Sequence, residues 1–398
     1  MSKFTVRILT AVFTFTIGVA IATAWVFNRK EDPRMGPVEI PPVALSSNGP
    51  TMEMVFVLDT TGSMGGLLSG AKQRIWGIVN GVMQTTSLSS VKVGLVAYRD
   101  RGDRYITQVL PLTEDLDKVY STLMEYQAEG GGDEAENVRR ALAQGVANAG
   151  WSQPSANHAQ IIFLVGDAPP HDYADEADPL TTADLAVKQG IIVNTIQCGT
   201  SATTKQVWEA IAQRGQGQYF LIPQDGGVRT ISTPYDEQLS QLGSRLGGTF
   251  LAYGGGGGAD GDNYRAARKE VAEKVEASVA TLSAPEAKAD RTVNKALNSR
   301  AYIGDLLQDI ENGSTKLTTV KDEDLPSELQ KLSTEERAKE IEKRLAERSE
   351  IRKQILALSK QRTDYIETQQ KKGKGPQNGF DAAVSAALRQ QLAKKGIK

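Results

Sequence analysis

Asp59, Thr61 and Ser63 stand at alternate positions of the segment Asp59-Thr60-Thr61-Gly62-Ser63-Met64, and Asp167 follows an apolar run in Val165-Gly166-Asp167-Ala168-Pro169-Pro170. One carboxylate and two hydroxyls at every other residue of a tight turn can converge on one point while the residues between them face away. A second carboxylate delivered to the same edge completes an all-oxygen set. Such donors suit Mg²⁺, Mn²⁺ or Ca²⁺ and not zinc or copper. The remaining composition agrees: with one cysteine, Cys198, and two histidines, His158 and His171, the chain has no thiolate cluster and little room for a His-rich centre.

These motifs need elements that bring them to one edge. MEMVFVLD (52–59), VKVGLVAY (91–98), HAQIIFLVGD (158–167) and GIIVNTIQCG (190–199) are apolar runs, with a weaker strand near 108–112 and a last short one at 218–222. Amphipathic stretches separate them: a helix after Ser63, then helices over 115–127, 134–149, 174–189 and 203–214. Apolar strands alternating with helices predict a doubly wound, mainly parallel α/β sheet covered on both faces, over residues 51–253. In such sheets ligands bind at the carboxyl ends of the strands, where Asp59 and Asp167 fall. Gly254–Gly258 is a run of five glycines opening an expected flexible linker (254–262). Residues 263–398 follow as a separate α-helical segment. In it Ala267, Val271, Val275 and Val279 form a stripe, Ser333-Thr334-Glu335-Glu336 is a capping box opening a long charged helix, and 380–394 is a short final helix.

The 398 residues are 40% hydrophobic and 24% charged with a formal charge of −2, which excludes wholesale disorder, a polytopic membrane protein and a basic nucleic-acid binder. Ile8 to Phe27 carries no charge and is preceded by Lys3 and Arg7. A run of about 20 residues can span a bilayer, while Ala22-Thr23-Ala24 offers a small-x-small cleavage pattern. Residues 1–28 are therefore expected to be a signal-anchor helix or a cleaved signal peptide, and 29–50, with five prolines, an extended spacer. The bulk of the chain is expected on the extracytoplasmic side, membrane-anchored or secreted.

Asp59-x-Thr61-x-Ser63 with Asp167 after a later strand resembles the metal-ion-dependent adhesion site of a von Willebrand factor type A domain. Tyr98-Arg99-Asp100, Gly130-Gly131-Gly132-Asp133-Glu134-Ala135-Glu136 and Gly166-Asp167-Ala168-Pro169-Pro170-His171 are similar to the subgroup of hemicentins and alpha-kinase A-domains. The resemblance implies that Asp59, Thr61 and Ser63 hold Mg²⁺ (or Mn²⁺ or Ca²⁺), steadied by Asp167. It implies an open coordination position for a Glu or Asp carboxylate of a partner protein. The sequence shows no nucleophile–base pair, so no enzymatic activity is expected. The family usually adds a Thr from a middle loop; the matching loop here offers Asp133 and Glu136 as further ligands. The same two residues also read as a capping box, with Asp133 as the cap and Glu136 three residues on.

Other motifs point less far. His171-Asp172 beside Asp167 could serve a metal-assisted base, Arg101-Gly102-Asp103 lies in a turn, and Cys198 reads as a small core residue. Two rivals to the binding module stay open. One is a metal-dependent hydrolase or phosphatase with His171 or Asp100 assisting. The other is a scaffold that binds or self-associates through its C-terminal helices.

Overall fold

The computed structural model describes residues 49–86, 88–227, 231–280, 285–298, 302–372 and 380–397. The expected membrane-directed segment and nearly all of the Pro-rich spacer lie outside these residues; among the described ones, no helix is long and apolar enough to cross a membrane.

Strands β1 (Thr51–Asp59), β2 (Ser90–Tyr98), β3 (Thr107–Thr113), β4 (His158–Gly166), β5 (Ile191–Cys198) and β6 (Gln216–Ile222) form a sheet in the order β3-β2-β1-β4-β5-β6. All neighbouring pairs are parallel except the edge pair β2–β3. Side chains alternate across the pleat, and both faces are buried. Met52, Met54, Phe56 and Leu58 of β1 enter one apolar layer with helices α1 (Gly65–Thr85) and α2 (Leu116–Glu125). Val55 and Val57 enter the opposite layer with α3 (Val138–Ala147), α4 (Pro179–Lys188) and α5 (Ala202–Arg214). The strand order reverses at β1, whose neighbours β2 and β4 follow it on either side. The crevice of a doubly wound sheet opens at such a point, and here Asp59 is level with Tyr98 at its mouth.

The C-terminal region is helical: α6 (Asp236–Gly247), α7 (Gly258–Ala280), α8 (Pro285–Leu297), α9 (Leu306–Glu311), α10 (Ser327–Gln330), α11 (Thr334–Lys371) and α12 (Phe380–Lys394). It packs with the sheet as one compact unit. Phe380, Val384 and Leu388 of α12 are part of the β1-side apolar layer, and the Phe380 ring lies 5.9 Å from Phe56. Asn194 of β5 and Gln391 of α12 exchange amide hydrogen bonds of 3.2 and 2.6 Å in the buried layer. The final helix therefore covers a face of the sheet that the intervening chain leaves to it.

Several sequence expectations change here. The glycine run is not a free joint: the Gly254 amide donates to the Asp324 carbonyl (2.8 Å), the Gly256 amide to Asp324 Oδ1 (2.8 Å), and Arg265 holds both glycine carbonyls. Positive φ at Gly254, Gly255, Gly256 and Gly258 explains why glycines are needed in this folded loop. Of the expected stripe on α7, Val275 and Val279 are buried while Val271 is half exposed. The narrow stripe of α11 is used within the chain, with Ile341, Ile351 and Ile355 all buried. Its capping box forms as the spacing predicts, Glu336 Oε2 accepting from the Ser333 amide and hydroxyl at 2.9 Å each.

Candidate functional site

Asp59 ends β1 with its side chain fully buried, and Oδ1 accepts hydrogen bonds from the Thr61 amide (2.8 Å) and Thr61 hydroxyl (2.6 Å). This Asx-type turn swings the chain out of the sheet and sets Thr61 Oγ1 3.5 Å from Ser63 Oγ. Ser63 lies in a single 3₁₀ turn (Gly62–Met64) leading into α1 and caps nothing. Gly166 at the end of β4 makes room for Asp59: a Cβ there would lie 3.1 Å from Asp59 Oδ2 and 2.5 Å from the Tyr98 hydroxyl. Asp167 follows, its backbone carbonyl accepting from Thr204 and its Oδ2 from Gln224 Nε2 (2.5 Å). Thr61, Ser63, Asp133, Glu136 and Asp167 line one cleft of about 330 Å³.

The middle loop closes that cleft. Gly62 donates to the Gly130 carbonyl (3.1 Å), and the Glu136 backbone bridges to the Asp167 loop through Pro169 (3.0 Å) and His171 (3.0 Å). The capping-box reading of Asp133 and Glu136 does not hold. The helix begins later, at Val138, and its cap is Asn137, whose side chain accepts from the Arg140 amide. Glu136 is instead drawn into a parallel bridge with Pro170. Glu136 consequently turns inward beside Thr61, a Cβ at Gly131 lying only 2.9 Å from Glu136 Oε1. The Asp133 carboxylate, exposed, faces His171 Nε2 at 3.2 Å, and Asp100 Oδ2 faces the same nitrogen at 3.2 Å.

Two buried carboxylates at this edge are incompletely satisfied: Asp59 Oδ2 and Glu136 Oε2 have no hydrogen-bond partner. Burial, with Asp167 facing it, pushes the Asp59 carboxyl up to about 7 although Thr61 bonds it. Burial together with Asp59, Asp100 and Asp103 pushes Glu136 up to about 9. Like charges crowded in a dry site disfavour ionisation, and a divalent cation reverses that balance. Unpaired buried oxygens, adjacent hydroxyls and donors that are all oxygen fit a hard cation held by Asp59, Thr61, Ser63, Asp167 and Glu136.

The sequence reading missed Gln224, Gly166 and Tyr173. Gln224 reaches both the Asp167 carboxylate and, at 3.4 Å, the Ser63 carbonyl from a turn after β6 that carries no motif. The role of Gly166 depends on a neighbouring strand, which local sequence does not show. The tripeptide Arg101-Gly102-Asp103 is structural: Asp103 Oδ2 accepts from the Asp100 and Gly131 amides, at 3.2 Å each.

Residues 53–233 match the family model described as von Willebrand factor A domain. The von Willebrand factor A domain-containing protein 7 of Rattus norvegicus is 34% identical over 206 residues, covering 48% of this chain and 21% of that protein. The chain thus spans about a fifth of the length of this curated relative. Among solved structures, proximal thread matrix protein 1 from the mussel byssus aligns at a TM-score of 0.33 and 13% identity, over 44% of this chain and 43% of that one. The pilus adhesin SpaC from Lactobacillus rhamnosus GG aligns at a TM-score of 0.34 and 14% identity, over 44% and 28%. With its six-stranded, mostly parallel sheet and flanking helices, the segment 53–233 is a von Willebrand factor A domain, followed by a helical C-terminal region.

Proposed function

We propose that this domain is a metal-dependent protein-binding module that captures an acidic side chain of a partner protein. The observation that carries the reading is the pair of buried, unpartnered carboxylate oxygens, Asp59 Oδ2 at the end of β1 and Glu136 Oε2 in the cleft that Thr61, Ser63 and Asp167 also line. Leaving such groups unsatisfied costs about 1–3 kcal/mol each, a cost that a bound cation removes. The ion, Mg²⁺ by preference or Mn²⁺ or Ca²⁺, would supply an electrophilic centre for an incoming carboxylate. The protein's own residues set how strong that attraction is. Glu136 in place of a neutral hydroxyl adds negative charge at the site, which raises cation affinity and lowers the pull on a partner's anion. Gln224 keeps the Asp167 carboxylate fixed at the cleft rim. The module acts by binding and not by turnover, and the uncharged run from Ile8 to Phe27 targets it to or across a membrane.

Calorimetry of the full chain with Mg²⁺ alone, and capture of proteins from membrane extract on the immobilised chain, test this reading. Binding of Mg²⁺ and capture that is lost in EDTA, restored by Mg²⁺ and absent in Asp59→Ala are expected. Capture that survives both EDTA and Asp59→Ala would assign binding to the C-terminal helices, and phosphate-ester turnover lost in Asp59→Ala would make the domain a hydrolase.

A further inference from the structure

Beside the Asp59 cleft, the loops after β2, before α3 and after β4 bring Asp100, Asp133 and His171 together, a donor atom of each lying within 4.8 Å of the other two. His171 Nε2 stands 3.2 Å from Asp100 Oδ2 and 3.2 Å from Asp133 Oδ2. Ligands bound about 2.1 Å from one metal and about 90–110° apart are separated by roughly 3.0–3.4 Å, so both spacings from His171 are those of neighbouring ligands around a single ion. Outer contacts orient the group as metal ligands are commonly oriented. The Tyr173 hydroxyl lies within hydrogen-bond distance of both Asp100 carboxylate oxygens (2.9 and 2.8 Å), and its ring stacks on His171 at 4.9 Å between centroids. Arg101 in turn lies over the Tyr173 ring, 3.8 Å from its centroid.

A buried carboxylate of the first site adjoins the cluster along the chain. Glu136, 3% exposed and with Oε2 unpartnered, follows Asp133 by three residues in the same loop. Its backbone carbonyl accepts from the His171 amide at 3.0 Å, which ties it to this cluster. We propose that Asp100, Asp133 and His171 form a second cation site, next to the one built on Asp59, and that it takes a divalent transition metal such as Zn²⁺. The imidazole is what separates the two sites. A nitrogen donor favours Zn²⁺ and its neighbours over Mg²⁺ and Ca²⁺, whereas the Asp59 set is all oxygen. The exposed Asp133 leaves the site open to solvent.

Zn²⁺ titrated calorimetrically into the full chain in excess Mg²⁺ tests the assignment. One Zn²⁺ per chain is expected in the wild type and in Asp59→Ala, with affinity at least 10-fold weaker in His171→Ala and in Asp133→Asn, while Mg²⁺ binding persists in His171→Ala. Both substitutions are at accessible side chains, and circular dichroism verifies their folds. Unchanged Zn²⁺ affinity in His171→Ala, or no Zn²⁺ binding by the wild type in excess Mg²⁺, overturns the proposal and leaves the cluster an ion pair. Zn²⁺ binding lost in Asp59→Ala alone overturns it too, by placing the ion in the first site. Failure of Mg²⁺ to bind leaves the Zn²⁺ result readable, so the two sites stand or fall separately.

Discussion

Strand β1 carries a buried carboxylate near each end, and the two live under opposite rules. Glu53, 1% exposed, is surrounded by donors: Lys92 Nζ (3.0 Å), the Ser152 amide (3.0 Å) and Gln160 Nε2 (3.2 Å), with His158 Nε2 at 3.3 Å. Burial alone would raise its pKa, but the His158 ring beside it and hydrogen bonds from Ser152 and Lys92 outweigh that and hold the carboxyl well below its ordinary value. Asp59, six positions on and fully buried, has Thr61 on one oxygen and nothing on the other. One end of the strand is complete as folded, whereas the other holds charge that the protein does not itself neutralise. Completed polar clusters serve stability, and unfinished ones in a cleft are where function is sought.

The largest effect separating the two ends is expected from Glu53→Ala. It removes an acceptor shared by the Gln160 amide, the Ser152 amide and hydroxyl and the half-exposed Lys92, so a loss of about 3 kcal/mol should appear in urea melts. Equal loss in Asp59→Asn would erase the contrast.

The pH dependence should differ in sign. Asp59 and Glu136 have native pKa values above their unfolded ones, so the native state holds extra protons between them. Their contribution is complete below about pH 4 and disappears as pH rises through about 7 and then about 9. Glu53 is the reverse: its contribution is present above its ordinary 4.5 and disappears as pH falls through its lowered value. Urea melts in EDTA should therefore lose stability on both limbs, and Mg²⁺ should restore the alkaline limb only. A flat alkaline limb in EDTA would show that the Asp59 end is already satisfied.

A smaller gain is expected from Asp59→Asn at pH 8 in EDTA, about 1 kcal/mol, because a neutral amide keeps the acceptor for Thr61 and removes the buried charge. The same variant should lose all stabilisation by Mg²⁺ in thermal melts. Least affected is Thr61→Ala, in which loss of one hydroxyl should weaken Mg²⁺ binding several-fold with the fold intact. Unfolding of this variant without metal would make Thr61 a structural residue first.

The strands were legible because parallel strands buried on both faces are written as unbroken apolar runs, and MEMVFVLD and HAQIIFLVGD match β1 and β4 to within a residue. The Asp59-x-Thr61-x-Ser63 turn was legible because its spacing is local. The start of α3 was misread, since Asp133-x-x-Glu136 has the form of a capping box and only the pairing of Glu136 with Pro170 rules it out. The glycine loop was misread as a joint for the same reason: its partners, Asp324 and Arg265, come from elsewhere in the chain.

By itself, then, the order of residues determined the alternation of buried strands and helices, the oxygen-rich turn after β1 and the helical character of the last third. Those features follow from periodicity and from bonds between residues a few positions apart. Tertiary structure alone decided that Glu136 turns in toward Thr61 while Asp133 turns out to His171, that Gln224 steadies Asp167, and that α12 returns to cover the sheet. Each of these depends on which surface is left without a partner once the sheet has formed, and a distant segment supplies it.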